Sequence, residues 1–168
     1  MIKMTKAIVL YNSRFGNTKN IAQCLAKGIE SQGITTTCEN IDVVDVESLR
    51  DYDFIAIGGP THILKMSDEL NEFMQKLRDV ILEKIAGFAF DTRNESKMNK
   101  TYLMVLENSA ARRIEKQMKK LGVEIVHPRR SALVEGEQGP LYKDEEQRFF
   151  QIGLDIGKIL KSASFISV

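Results

Sequence analysis

Five short strand-like runs, four mostly apolar and one Thr-rich, recur along the chain with polar or helical stretches between and after them, and this alternation constrains the fold more than any other feature. The strand-like runs are residues 7–11, 34–40, 54–57, 85–90 and 123–126, with 132–134 as a candidate continuation of the fifth. The helical stretches are 17–32, 68–82, 108–121 and 144–160. They repeat apolar residues at 3.6-residue spacing, as in Ile21, Leu25, Gly28 and Ile29. Strands joined through helices lie parallel, because each crossover returns the chain to the end of the sheet where it began. Parallel sheets are covered on both faces, so their strands read as unbroken apolar runs, and "AIVLY" and "IAIGG" do so. The expected class is α/β, a three-layer, doubly wound, five-stranded parallel sheet between two layers of helices.

With 168 residues, 43% of them apolar, the chain is expected to form a single domain over residues 1–168. Net charge is +1 with both signs interspersed, and Arg129-Arg130 is the nearest thing to a basic cluster. A nucleic-acid partner, which calls for a concentrated cationic face, is not expected. No run reaches the roughly 20 apolar residues that a membrane helix needs. The N-terminus also lacks the apolar stretch and small-residue cleavage site of a secretion signal, so the expectation is a cytoplasmic chain with no membrane partner. Cys24 and Cys38 form no CxxC pair and no metal-ligand spacing, which reads as two buried reduced thiols and no metal site.

In an open parallel sheet, ligands sit at the carboxyl ends of the strands. Three segments there carry polar residues. The first is "NSRFGNT", residues 12–18, which opens the first helix. A helix N-terminus offers unpaired N–H groups and the positive end of a dipole to an anion. Gly16 permits close backbone approach, and Ser13, Asn17 and Thr18 add side-chain donors. Neither GxxxxGK[ST] nor GxGxxG is present, so the loop suits a phosphate held without metal or lysine. A plain helix cap by Ser13 or Asn17 would use the same residues. The second is "GGPTHILKM", residues 58–66, a rigid turn followed by an apolar lip. His62 and Ile63 there can cover one face of a flat ligand, the alternative for His62 being a solvated loop histidine. The third is "FAFDTRNE", residues 88–95, with Asp91, Thr92 and Arg93 just beyond the fourth strand. They suit the polar edge of a heterocycle, or Asp91 forms a surface ion pair.

A strand followed by S-x-x-G-N-T resembles the phosphate loop of the flavodoxins, and the likeness in element order extends over nearly the whole chain. "FDTR", followed by "SAARRIEKQMKKLG" and by "GPL" at residues 139–141, is similar to an FDTR-containing flavodoxin-like branch. The resemblance implies the sheet order 2-1-3-4-5, an FMN cofactor and an electron carrier that serves redox partner proteins, rather than an enzyme with its own substrate. It also implies that Ser13, Asn17 and Thr18 bind the FMN phosphate together with backbone N–H groups across Arg14, Phe15 and Gly16. Pro60, Thr61, His62 and Ile63 would flank the ribityl chain and the ring system, and Asp91, Thr92 and Arg93 would face the pyrimidine edge. No side chain is then required as a catalytic acid or base, since the cofactor does the electron chemistry.

Several residues depart from the family pattern. Phe15 stands where many members carry a hydroxyl, and Arg14 is the candidate replacement for the lost phosphate contact. The second segment offers no aromatic except His62, and the third offers none between Asp91 and Tyr102, so ring stacking is expected to be weak. Residues 61–66 contain no glycine, which predicts a poorly stabilised half-reduced flavin. Lys65, Arg93, Lys97 and Lys100 predict a raised potential. Two other readings remain: an FMN-dependent NAD(P)H or quinone oxidoreductase, whose middle loop "GGPTH" resembles, and a binding module of the same fold without FMN. The apolar run "TYLMVL" within residues 97–109 reads as an extra strand or a homodimer surface.

Overall fold

The computed structural model describes residues 5–62, 65–80, 82–94 and 109–166. Strand β1 (Lys6–Tyr11) pairs in parallel with β2 (Thr35–Asn40) on one side and β3 (Phe54–His62) on the other. A two-residue strand, β4 (Lys65–Met66), turns back antiparallel on the far end of β3. Next to β3 comes β5 (Ala86–Asn94), again parallel. The lane beyond β5 is shared by β6 (Glu124–Ile125) and β7 (Arg130–Val134), which pair with successive parts of it. The gap between them contains Pro128, which has no N–H to give a ladder. Taken as five lanes, the order is the expected 2-1-3-4-5.

Among the described residues four α-helices cover this sheet: α1 (Asn17–Glu30), α2 (Asp68–Lys76), α3 (Ala110–Lys120) and α4 (Glu145–Ile166). Side chains alternate along each strand, so each strand feeds two cores. Ile8, Leu10, Ile55 and Ile57 join Leu70, Met74, Ile114 and Met118 under α2 and α3. Ala7, Val9, Ala56, Phe88 and Phe90 join Ile21, Leu25, Phe149 and Ile156 under α1 and α4. Among the described residues no helix is long and apolar enough to cross a membrane.

Side-chain caps set the starts of two helices. The Ser67 hydroxyl accepts from the Leu70 N–H (3.3 Å), and that of Ser109 accepts from the Arg112 N–H (3.1 Å). Residues Val46–Asp51 form a 3₁₀ turn capped by Asp45, whose carboxylate accepts from the Glu47 N–H (3.1 Å). Helix α2 gives way to a 3₁₀ turn at Leu77–Asp79, short of the predicted 68–82.

The larger corrections concern β3 and β5. Gly-Gly-Pro does not end β3, and Asp91, Thr92 and Arg93 are not a loop. Gly59 and Pro60 of β3 pair in register with Asp91 and Thr92, and β7 pairs with Phe90 through Asn94 from the other side. A ladder on each flank absorbs the backbone groups, and the strand carries its polar residues inward. The two cysteines are free thiols, half-buried rather than fully buried. Ile63 and residues 97–108, including the expected dimer surface, lie outside the described residues.

Candidate cofactor site

The carboxyl ends of β1, β3, β5 and β7 meet around one cleft. Ser13, Arg14, Phe15, Asn17 and Thr18 line it from the β1–α1 loop, Pro60 and Thr61 from β3, and Thr92 and Arg93 from β5. The structure therefore brings the three predicted segments together. A second opening, bounded by Asn12, Ser13, Pro60, Met66 and Ser67, continues from it toward the start of α2. The Ser67 hydroxyl donates to Asn12 Oδ1 there (2.6 Å) and fixes its edge.

The β1–α1 loop winds around one hydroxyl. Ser13 Oγ accepts from the N–H of Gly16 (3.1 Å) and of Lys19 (3.3 Å). Gly16 caps α1 at φ +95°, a conformation costly for any residue with a Cβ, and a Cβ built there would meet nothing within 4 Å. Conformation therefore favours glycine at this turn, while the space over it is open. Asn17 and Thr18 occupy the first turn, where N–H groups have no acceptor within the helix.

The side chains of Asn17 and Thr18 are otherwise employed. Asn17 Nδ2 donates to the Gln138 carbonyl (3.1 Å), and Gly139 lies against the Asn17 amide. Thr18 Oγ1 shares a hydrogen bond with Thr92 Oγ1 (2.8 Å), and both residues are buried. These contacts tie the loop to β5 and to the segment after β7. What remains for an anion is the backbone of the first turn, the Ser13 hydroxyl and Arg14. The Arg14 guanidinium stands over the Phe15 ring, 5.3 Å from its centre, and that ring is 41% exposed at the lip.

Asp91 is fully buried and is not among the residues bounding the cleft. Its Oδ2 accepts from the Thr61 hydroxyl (2.7 Å) and from the Ala111 N–H (3.2 Å) at the head of α3. Thr61 Oγ1 in turn accepts from the Ala110 N–H (2.9 Å). A carboxylate at a helix N-terminus is favoured by the dipole. Arg93 Nε lies 3.6 Å from Asp91 Oδ1, so the ion pair exists, but inside the protein rather than on its surface. Arg93 also donates from Nη2 to Ser131 Oγ. Among the described residues, Asp91 Oδ1 and Arg93 Nε and Nη1 have no hydrogen-bond partner. Thr61, Asp91 and Arg93 therefore join β3, β5, α3 and β7 behind one wall of the cleft.

His62 ends β3 in register with Lys65. Four further residues also line the cleft: Asn94, which lies in the third segment without being an expected contact, and Val134, Gly136 and Glu137, which lie outside all three segments. Three belong to "VEGEQG", residues 134–139, at the end of the fifth lane. The carboxyl-end rule applies to that strand as much as to the others, and its glycines are the signal in the sequence.

A family model described as a flavodoxin domain matches residues 8–137. The flavodoxin of Aquifex aeolicus (strain VF5) is 29% identical, the alignment taking 50% of this chain and 46% of that protein. An NAD(P)H dehydrogenase (quinone) of Cupriavidus metallidurans is 26% identical across 50% of this chain and 55% of its own length. The chain thus spans about half the length of these curated relatives. Among solved structures, a flavodoxin from the domain Archaea superposes with a TM-score of 0.75 at 25% identity, over 94% of this chain and 99% of that one. The rubredoxin oxygen:oxidoreductase of Desulfovibrio gigas shares the fold at 16% identity, with a TM-score of 0.74 over 96% of this chain and 37% of its own.

Proposed function

Because the chain belongs to the flavodoxin domain family, we propose that it is an FMN-binding electron-transfer protein. Membership implies a flavin. The phosphorylated form is supported by one observation above the rest: the open turn at Gly16, φ +95°, brings Asn17 and Thr18, the first residues of α1, to the cleft that Thr61, Thr92 and Arg93 also line. A phosphate seated there would take the backbone N–H groups of Asn17 and Thr18, the Ser13 hydroxyl and the Arg14 guanidinium. The buried Arg93 guanidinium, which borders this cleft, gives its wall cationic character. Bound flavin would supply reversible electron acceptance, and the chain's own part is to hold, orient and shield it. Its electron donors and acceptors are redox proteins that meet the exposed edge of the cleft.

Titration of the purified protein with FMN, followed by visible absorption, tests this directly. A bound yellow species with a shifted flavin band is expected. Ser13→Ala should weaken it about ten- to hundredfold, the worth of one hydrogen bond to a charged acceptor. A protein that stays colourless in excess FMN overturns the proposal. The quinone dehydrogenase relative supports a second reading, an NAD(P)H-dependent oxidoreductase. Rapid bleaching of the flavin-loaded protein by NADPH in stopped flow would favour it.

A further inference from the structure

Arg93 borders two cavities. One is the cofactor cleft; the other, about 470 Å³, lies where β7 meets α3 and α4 and includes Arg93, Arg129, Arg130, Arg148, Glu115 and Ser131 in its walls. Among the described residues the two share Arg93 alone. We propose that this second cavity binds a pyrophosphate-type anion, independently of the flavin.

Four guanidinium groups in one cavity are an unusual concentration on a chain whose net charge is +1. Two are held in place by carboxylates. Glu115 accepts from Arg129 Nη1 on one oxygen (3.1 Å) and from the Arg129 N–H on the other (3.2 Å). Glu145 accepts from Arg148 Nε (2.8 Å) and Nη2 (2.7 Å). A guanidinium carries five N–H donors, so each keeps donors to spare after such a contact, with its rotamer already fixed. Arg130 has no carboxylate within ion-pair distance among the described residues; its Nη1 donates only to the Arg129 carbonyl (3.0 Å). Arg93 is 5% exposed; its Nε faces Asp91 Oδ1 at 3.6 Å, and its Nη1 N–H donors have no hydrogen-bond partner among the described residues. Burying unmet donors on a charged group is costly, and an oxyanion in the cavity is the ligand type that would meet them.

The four guanidinium groups outnumber the three carboxylates that pair with them. Asp91, Glu115 and Glu145 lie in or just behind these walls and repel any negative ligand. A single small anion reaches fewer of the four guanidinium groups. Two linked phosphoryl groups carry more charge and enough oxygens to reach both Arg93 at depth and Arg130 at the rim.

Equilibrium dialysis of the full chain against labelled inorganic pyrophosphate at low ionic strength, with and without saturating FMN, tests this. One site is expected, tighter for pyrophosphate than for inorganic phosphate and retained when FMN is bound. Arg130→Gln should weaken it by about tenfold or more, and Arg50→Gln, a remote exposed charge paired with Glu47, should leave it unchanged. An ADP arm distinguishes the sources: tighter binding than pyrophosphate points to a nucleotide, equal binding to the phosphates alone. Absence of binding, displacement by FMN, or equal losses in the two variants would overturn the proposal. Flavin binding is read separately in the visible spectrum, so either reading can fail without the other.

Discussion

Deleting the Asp91 carboxylate leaves the Arg93 guanidinium without its counter-charge, at a place where both residues are buried. Asp91→Ala should cost about 3–5 kcal/mol in urea denaturation. The double variant Asp91→Ala/Arg93→Met should recover much of that, whereas additive losses would show that the pair is not coupled. A second residue-scale prediction concerns Glu137, a carboxylate on the wall of a cleft argued to hold an anion. Glu137→Gln should tighten FMN severalfold at low salt, an effect that shrinks as salt screens the site. A third concerns Cys38. Burial, then the Glu39 carboxylate, push its thiol up to about 11 from an ordinary 9.0. The fold therefore favours the neutral thiol, and this contribution to stability is full below pH 9 and lost as the pH rises through 11. Cys38→Ser should flatten that part of the stability profile. Of these features, Ser13 and Gly16 are legible from the motif, since the chemistry is local to one loop. The Thr18–Thr92 and Arg93–Ser131 contacts are not, because partners 74 or 38 residues apart meet only through strand register.

Between elements, the tightest constraint lies where α1 crosses α4. In the sequence Gly28 is only one member of the inward face of α1, yet a Cβ there would lie 2.2 Å from the Phe150 carbonyl and 2.9 Å from the Gly153 Cα. Those are backbone atoms and cannot swing aside. Gly28→Ala should destabilise the protein by about 1–3 kcal/mol despite its gain in helix propensity, read as a lower urea midpoint. Stability equal to the parent's would mean that the helices slide apart freely. Helical periodicity makes the helices readable, whereas local chemistry places the ends of β3 and β5 too early. "GGP" ordinarily marks a turn, and "DTR" is too polar for a strand with two buried faces. Both tendencies give way where β3 and β7 flank β5 and α3 offers its N-terminal N–H groups to the Asp91 carboxylate. Strand ends at the functional edge are where local propensity and global fold disagree.

At the scale of the molecule, the helix order places all four carboxyl-end segments on one rim, so a ligand held there reports on the whole sheet. A ligand that binds only the folded state raises its stability by RT ln(1 + [L]/Kd), about 2.7 kcal/mol at a hundredfold excess over Kd. For a domain of this size that corresponds to a rise of about 5–10 °C in melting temperature. FMN should produce such a shift, and riboflavin at the same concentration should produce little of it, because the donors at the head of α1 have no group to meet when the phosphate is missing. The paired measurement separates two origins of affinity that the fold alone leaves joined. Equal shifts from the two flavins would place the binding energy in the ring system, against the exposed Phe15 and the lip beyond Pro60, and would remove the β1–α1 loop from its role as anchor. A shift confined to FMN, abolished in Gly16→Val while the far-ultraviolet spectrum is unchanged, ties the cofactor to a backbone turn that no L side chain adopts at low cost.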